Sequence, residues 1–222
     1  MSVLKVAIMS LPLALLMGCS DSKNYETAYC ALVDISGTYA HEKANVAKVV
    51  KSGILPEMTS GDSLFVFAID SNSYTEDNLI SKVTLDYRPT QANKQKLSLS
   101  KSIDEFAASE ASSQLTDVSG AMMLCADYLK ATESGTKMMF VFSDMREELP
   151  SNVVRSFDND EFTGIDIAAM NIIKLNSDSA NPEVYRSRLA DWERNTLAAG
   201  ASSWQTLLDA SKIPEFIQAN KR

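Results

Sequence analysis

One histidine, three cysteines and a shortage of basic residues set the first limits on this 222-residue chain. The lone histidine, His41, and the absence of closely spaced cysteines leave little basis for a His-based catalytic triad or for most zinc sites. Lys and Arg number 21 against 29 Asp and Glu, a formal charge of −8, and no Lys/Arg-rich face is patterned in the sequence. That excludes a phosphate-backbone partner, so no nucleic-acid binding is expected. There is no internal repeat, low-complexity tract or interior linker. At 45% apolar and 23% charged residues, the composition is that of a folded protein and not of a disordered one.

A bilayer-spanning apolar run is also missing. The mainly apolar stretch from Val6 to Met17, preceded by Lys5, is too short to cross a membrane comfortably. It ends in Leu16-Met17-Gly18-Cys19, which resembles the bacterial lipobox. The resemblance implies a signal peptide over residues 1–18, cleavage before Cys19 and acylation of that cysteine. Residues 19–28 then carry the lipid and a short polar tether, and residues 29–222 form one domain. Several acyl chains anchor more firmly than one. Ser20 points to outer-membrane sorting over inner-membrane retention, a contrast that Asp21 weakens. The expected location is the bacterial cell envelope, on the periplasmic face of the outer membrane, with membrane contact through the lipid alone. Cys30 and Cys125 remain, and two readings stand: a disulfide in an oxidising compartment, or two inert buried thiols.

What the chain does have is a series of apolar runs alternating with amphipathic segments. Strands are expected at Tyr29–Val33, in "SLFVFAID" ending at Asp70, at Lys82–Tyr87, at Lys137–Phe142, at Ile165–Leu175 and at Ser203–Leu208. The third alternates and reads as a half-exposed edge strand. Helices are expected over Glu42–Lys51 closed by Gly53, and over Gln91–Ala111 with Leu97, Ile103, Phe106 and Ala107 buried. Others are expected from Val118, around Val153–Phe157, from Pro182 to the Gly200 cap, and over Ile213–Ala219. This alternation gives an α/β fold: a doubly wound, mostly parallel sheet with one antiparallel edge strand and helices on both faces. Ligands of such sheets bind beyond the carboxyl ends of the strands, where strand order reverses.

One stretch concentrates chemistry at that edge. In "YCALVDISGTYA" an apolar strand gives way to Asp34, Ser36 and Thr38, with Gly37 permitting a close bend. These are hard oxygen donors of low total charge, suited to an octahedral Mg2+ that keeps some waters, with Mn2+ or Ca2+ as substitutes. Asp144, at the end of "MFVFSDM", supplies a second carboxylate that a cation would neutralise. The order of motifs resembles the metal-ion-dependent adhesion site of the von Willebrand factor A family. Asp34-Ile35-Ser36-Gly37-Thr38 matches its D-x-S-x-S with Thr38 at the last place, "LTDVSGAM" places Thr116 at the family's threonine, and Asp144 at its final aspartate. The resemblance covers nearly the whole mature chain. It implies the family's Rossmann-like fold, a metal held by Asp34, Ser36, Thr38, Thr116 and Asp144, and a coordination position filled by a partner protein's Asp or Glu. Asp70 and Tyr39 are candidate partner contacts. Asp117 reads as a helix cap, and His41 as a solvated residue.

Two other readings start from the same residues. A structural envelope lipoprotein would use the metal site only for stability, or carry it in degenerate form. A haloacid-dehalogenase-like phosphatase would use Asp34 as nucleophile, but its D-x-D-G-T signature needs an acid-base aspartate where Ser36 stands, and no late lysine with paired aspartates follows. No enzymatic activity is therefore expected.

Overall fold

A computed structural model describes residues 24–170 and 181–222. Six strands, β1 (Thr27–Asp34), β2 (Ser63–Ile69), β3 (Leu79–Thr84), β4 (Thr136–Phe142), β5 (Ile165–Met170) and β6 (Ser203–Leu207), form one sheet in the order β3-β2-β1-β4-β5-β6. All neighbours are parallel except β2 and β3, so β3 is the antiparallel edge. The helices are α1 (Lys43–Val49), α2 (Pro89–Ala108), α3 (Val118–Lys130), α4 (Pro182–Ala198) and α5 (Ile213–Asn220).

The central strands are apolar on both sides because both sides are covered, and every residue of β1 is buried. Alternate side chains divide between two cores. Tyr29, Ala31 and Val33 pack with α1, α2 and α5, whereas Ala28, Cys30 and Leu32 pack with α3 and its neighbours. Met138 and Met139 fall one into each core. Cys30 of β1 and Cys125 of α3 are joined as a disulfide, with Cα atoms 6.2 Å apart.

Several expected boundaries move, each for a physical reason. β1 starts at Thr27, inside the expected tether, because the Thr27 amide is held by the buried Asp62 carboxylate (2.7 Å). β3 lies three residues earlier than the alternation of Val83, Leu85 and Tyr87 suggested. Its pairing with β2 is shifted by a bulge at Val66/Phe67, and Tyr87 is 73% exposed. The first helix is α-helical only from Lys43 to Val49, and Gly53 does not end it. Tighter and wider turns carry the chain through Gly53 to Glu57, and the glycine lets Ile213 of α5 approach within 3.1 Å of where a Cβ would stand. In α2, Ile103 is buried and Phe106 and Ala107 pack against the core as expected, but Leu97 is 72% exposed, and Ala92 and Leu99 complete the buried stripe. No helix forms over Val153–Phe157, where the chain is irregular and Val154 faces solvent. β5 ends at Met170, and the expected continuation to Leu175 lies outside the described residues.

The topology fixes where a ligand site belongs. From β1 the chain winds outward through β2 and β3, then returns to the other flank of β1 as β4. The connections leaving the carboxyl ends of β1 and β4 pass to opposite faces of the sheet, and a crevice is left between them. Asp34 ends β1, and Ser143-Asp144 follow β4.

Candidate functional site

The register of the two central strands brings the first pair of groups together. Val33 stands opposite Phe142, so the next residues, Asp34 and Ser143, meet across the crevice. The Ser143 hydroxyl donates to Asp34 Oδ2 at 2.6 Å, and Asp34 Oδ1 accepts both the Ser36 amide (2.8 Å) and the Ser36 hydroxyl (2.5 Å). Asp34 is 1% exposed. Burial raises its pKa from 3.8 to about 6, the donors from Ser143 and Ser36 oppose that rise, and the nearby Asp144 charge adds to it. The hydroxyls of Ser143 and Ser36 thus offset part of the cost of burying this carboxylate.

Beyond Asp34 the backbone turns tightly. Ser36 precedes the turn Gly37–Glu42, and Gly37 takes φ +44°, a conformation glycine adopts without strain. Thr38 lies in that turn, with its side chain outside the described residues. The segment ahead of α3 is stitched to this loop. The Ser113 amide donates to Ile35 O (2.9 Å), and the Gly37 amide donates to Ser113 O (3.1 Å). Three residues on, the amides of Thr116 and Glu148 donate to each other's carbonyls at 3.0 and 2.9 Å, fastening the same segment to the loop after β4. One short stretch of chain thereby ties together the three loops that carry Asp34 and Ser36, Thr116, and Asp144.

The loop after β4 is itself constrained. Met145 is buried with φ 61°, an uncommon conformation for a side chain of that size. Its amide donates to the Ser143 hydroxyl (2.9 Å), and its carbonyl accepts from the Trp192 indole (2.9 Å). The turn leaves Asp144 half-buried, with Oδ1 accepting the Arg146 amide at 2.8 Å. A cavity of about 230 Å³ opens at this point, lined by Ser36, Gly37, Tyr39, Gln114, Thr116, Asp144, Arg146 and Glu148. Among the described residues no three His, Cys, Asp or Glu side chains converge. A cation here would rely on hydroxyls beside the two aspartates, and the oxygen-only donor set suits Mg2+ better than a thiolate- or imidazole-seeking metal.

Other expected residues take different places. Asp70 turns into its own loop, accepting the Asn72 amide (2.8 Å) and the Asn78 side-chain amide (2.9 Å). Tyr39 is 3% exposed and walls the cavity, with its hydroxyl 3.4 Å from Met170 O. His41 is exposed. Asp117 caps α3 through the Gly120 amide (2.8 Å), but it is also buried against Arg155, a partner that nothing in its own segment announces. Ser143 and Arg155 are the residues that sequence reasoning passed over. The strand register would have indicated the first, whereas the second lies in a stretch without periodicity.

No family model and no curated protein matches the sequence. Solved structures match it in fold. A von Willebrand factor type A protein from Catenulispora acidiphila aligns over 88% of this chain and 42% of its own, with a TM-score of 0.51 and 9% identity. The conserved hypothetical protein BatB from Bacteroides thetaiotaomicron aligns over 87% of this chain and 98% of its own (TM-score 0.52, 12% identity). A variant of the PilB minor pilin from Streptococcus sanguinis aligns over 88% and 61% (TM-score 0.53, 8% identity). The chain thus spans less than two thirds of the first and third of these proteins and nearly all of BatB.

Proposed function

We propose, from the von Willebrand factor A fold of this chain, that it is a lipid-anchored binding module that captures a partner protein's carboxylate through a divalent cation. The convergence of Asp34, Ser36, Thr116 and Asp144 at the crevice between β1 and β4 carries this reading. Asp34, Ser36, Thr38, Thr116 and Asp144 would hold Mg2+, directly or through water. Bound there, the cation supplies a Lewis-acidic position open to an incoming Asp or Glu. The chain's own part is to keep the acceptors fixed: Ser143 and Ser36 orient Asp34, and the Thr116–Glu148 backbone pair holds Thr116 beside the Asp144 loop.

Neighbours in fold that are pilus proteins suit a role in protein capture at the cell surface or in the envelope. The Cys30–Cys125 pairing suits an oxidising compartment, and Cys19 supplies the anchor. Among the described residues no helix is long and apolar enough to cross a membrane. A phosphatase role for Asp34 is disfavoured because Ser36 stands where that chemistry needs an acid-base aspartate.

The test is Mn2+ and Mg2+ titration of the purified protein, followed by capture from envelope extracts with and without chelator. Wild type should bind the ion and retain a partner only in its presence, whereas folded Asp34→Ala and Asp144→Ala variants should do neither. Capture that survives chelation would overturn the adhesion mechanism. Ion binding that alters stability but never capture would favour the purely structural role.

A further inference from the structure

Asp117 follows Thr116 directly and is completely buried. Its N–H donates to Asp70 O (2.7 Å), and its carboxylate accepts the amides of Ser73 (3.0 Å) and Gly120 (2.8 Å). Those contacts are enough to cap α3 and to fasten it to the loop after β2. The carboxylate also accepts a two-pronged contact from Arg155, with Nε at 3.1 Å and Nη2 at 2.5 Å. Arg155 comes from the irregular segment after β4, and its side chain is only 16% exposed. The Tyr74 ring lies 5.7 Å from the guanidinium, and the Tyr74 hydroxyl donates to Asp127 of α3 (2.8 Å). Nearby, Glu147 accepts the Ser119 amide at 2.8 Å, a second tie between the β4 loop and the start of α3.

A helix cap does not need a buried guanidinium, since neutral side chains perform it equally well. What a planar fork adds is a fixed orientation for the carboxylate it grips. We infer that Arg155 is a positioning residue of the metal site: by clamping Asp117, it sets where the adjoining Thr116 hydroxyl stands relative to Asp34 and Asp144. This inference rests on the metal-site reading of the crevice. It also reverses the ordinary electrostatic expectation. Removing a positive charge near a cation site should tighten cation binding if charge alone mattered, whereas loosening Thr116 should weaken it.

The experiment measures Mn2+ affinity by titration and the Mn2+ electron paramagnetic resonance line shape, on the intact anchored protein in detergent. Proteins compared are wild type, Asp144→Ala, Arg155→Lys, Arg155→Met, and the charge-neutral pair Asp117→Asn/Arg155→Met. Urea melts fix a temperature at which each is fully folded. Weakening on the order of tenfold is expected for Arg155→Met, as for other outer-shell residues that orient ligands. The double variant should be similarly weak, and Arg155→Lys, which keeps the charge but not the fork, should fall between. Broadened resonance lines should accompany the loss. Affinity equal to or tighter than wild type in folded Arg155→Met and Arg155→Lys overturns the positioning role. If Arg155→Met does not fold, the Lys and double variants decide the same question. Failure of the underlying reading looks different: wild type would not bind Mn2+, or Asp144→Ala would bind it undiminished.

Discussion

Replacing Asp34 by Asn should disable the proposed metal site and at the same time stabilise the metal-free protein at neutral pH. The Asp34 carboxyl rises from 3.8 to about 6 on folding, chiefly through burial. For an acid shifted upward, folding favours the protonated form. That contribution is fully present below about pH 3.8 and is lost as pH climbs through about 6. At about 1.4 kcal/mol per pH unit, the loss is about 3 kcal/mol by pH 7 to 8. Asn carries no charge to desolvate. Its carbonyl can accept both Ser36 donors, and its amide can face Ser143 Oγ after that hydroxyl rotates. Urea denaturation in chelator, from about pH 3.5 to 8, should therefore show the two proteins converging at low pH. The Asp34→Asn variant should gain on wild type between about pH 4 and 7, by up to about 3 kcal/mol. Mg2+ should restore stability to wild type and leave the variant unchanged. A variant less stable than wild type at about pH 8, or a pH-independent difference between them, would refute the claim that Asp34 is held as a desolvated anion.

Two further outcomes can be checked by simpler means. The Cys30–Cys125 bridge closes a separation of 95 residues, for which chain entropy gives about 4.7 kcal/mol. The paired Cys→Ser protein should lose stability on that order, and unreduced wild type with Cys19 acylated should expose no thiol on unfolding; a titratable thiol there would contradict the pairing. Gly120→Ala should destabilise α3 even though Ala favours helix by about 1 kcal/mol. A Cβ there would stand 2.7 Å from Asp117 Oδ1 and closer still to Oδ2, displacing the cap and its Arg155 contact. A higher melting temperature would show that the carboxylate gives way freely.

Much of this architecture is legible because parallel strands covered on both faces must be continuously apolar, and that pattern survives in the raw sequence. Tyr29–Val33 and Lys137–Phe142 reveal themselves in that way, and Asp34 and Asp144 then fall at their carboxyl ends. Elements set by contacts are harder to read. Leu97 has the right character for a core residue but sits on the wrong side of α2, since Ala92, Leu99 and Ile103 define the stripe. β3 slides because a bulge in its pairing with β2, invisible locally, decides the register. Val153–Phe157 contains helix-compatible residues yet stays irregular, and Arg155 within it reaches Asp117 across 38 positions. The candidate site divides along the same line. Residues contributed by strand ends could be anticipated, while the contacts that aim them, from Ser143, Glu148 and Arg155, depend on how loops distant in sequence meet.

The polarity of β1 has a consequence for reach. The strand runs from Thr27 at one rim of the sheet to Asp34 at the other, eight residues or about 26 Å at some 3.3 Å each. Asn24 and Glu26, just ahead of the strand, are held at that first rim by the Glu133 carbonyl and the Thr136 amide. An acyl chain on Cys19, as proposed, would therefore hold the protein by the pole opposite the crevice, and the candidate site would face away from the membrane across the length of β1. A partner lying on the same membrane would then have to reach past about 26 Å of strand, whereas one standing in the space above would meet the site directly.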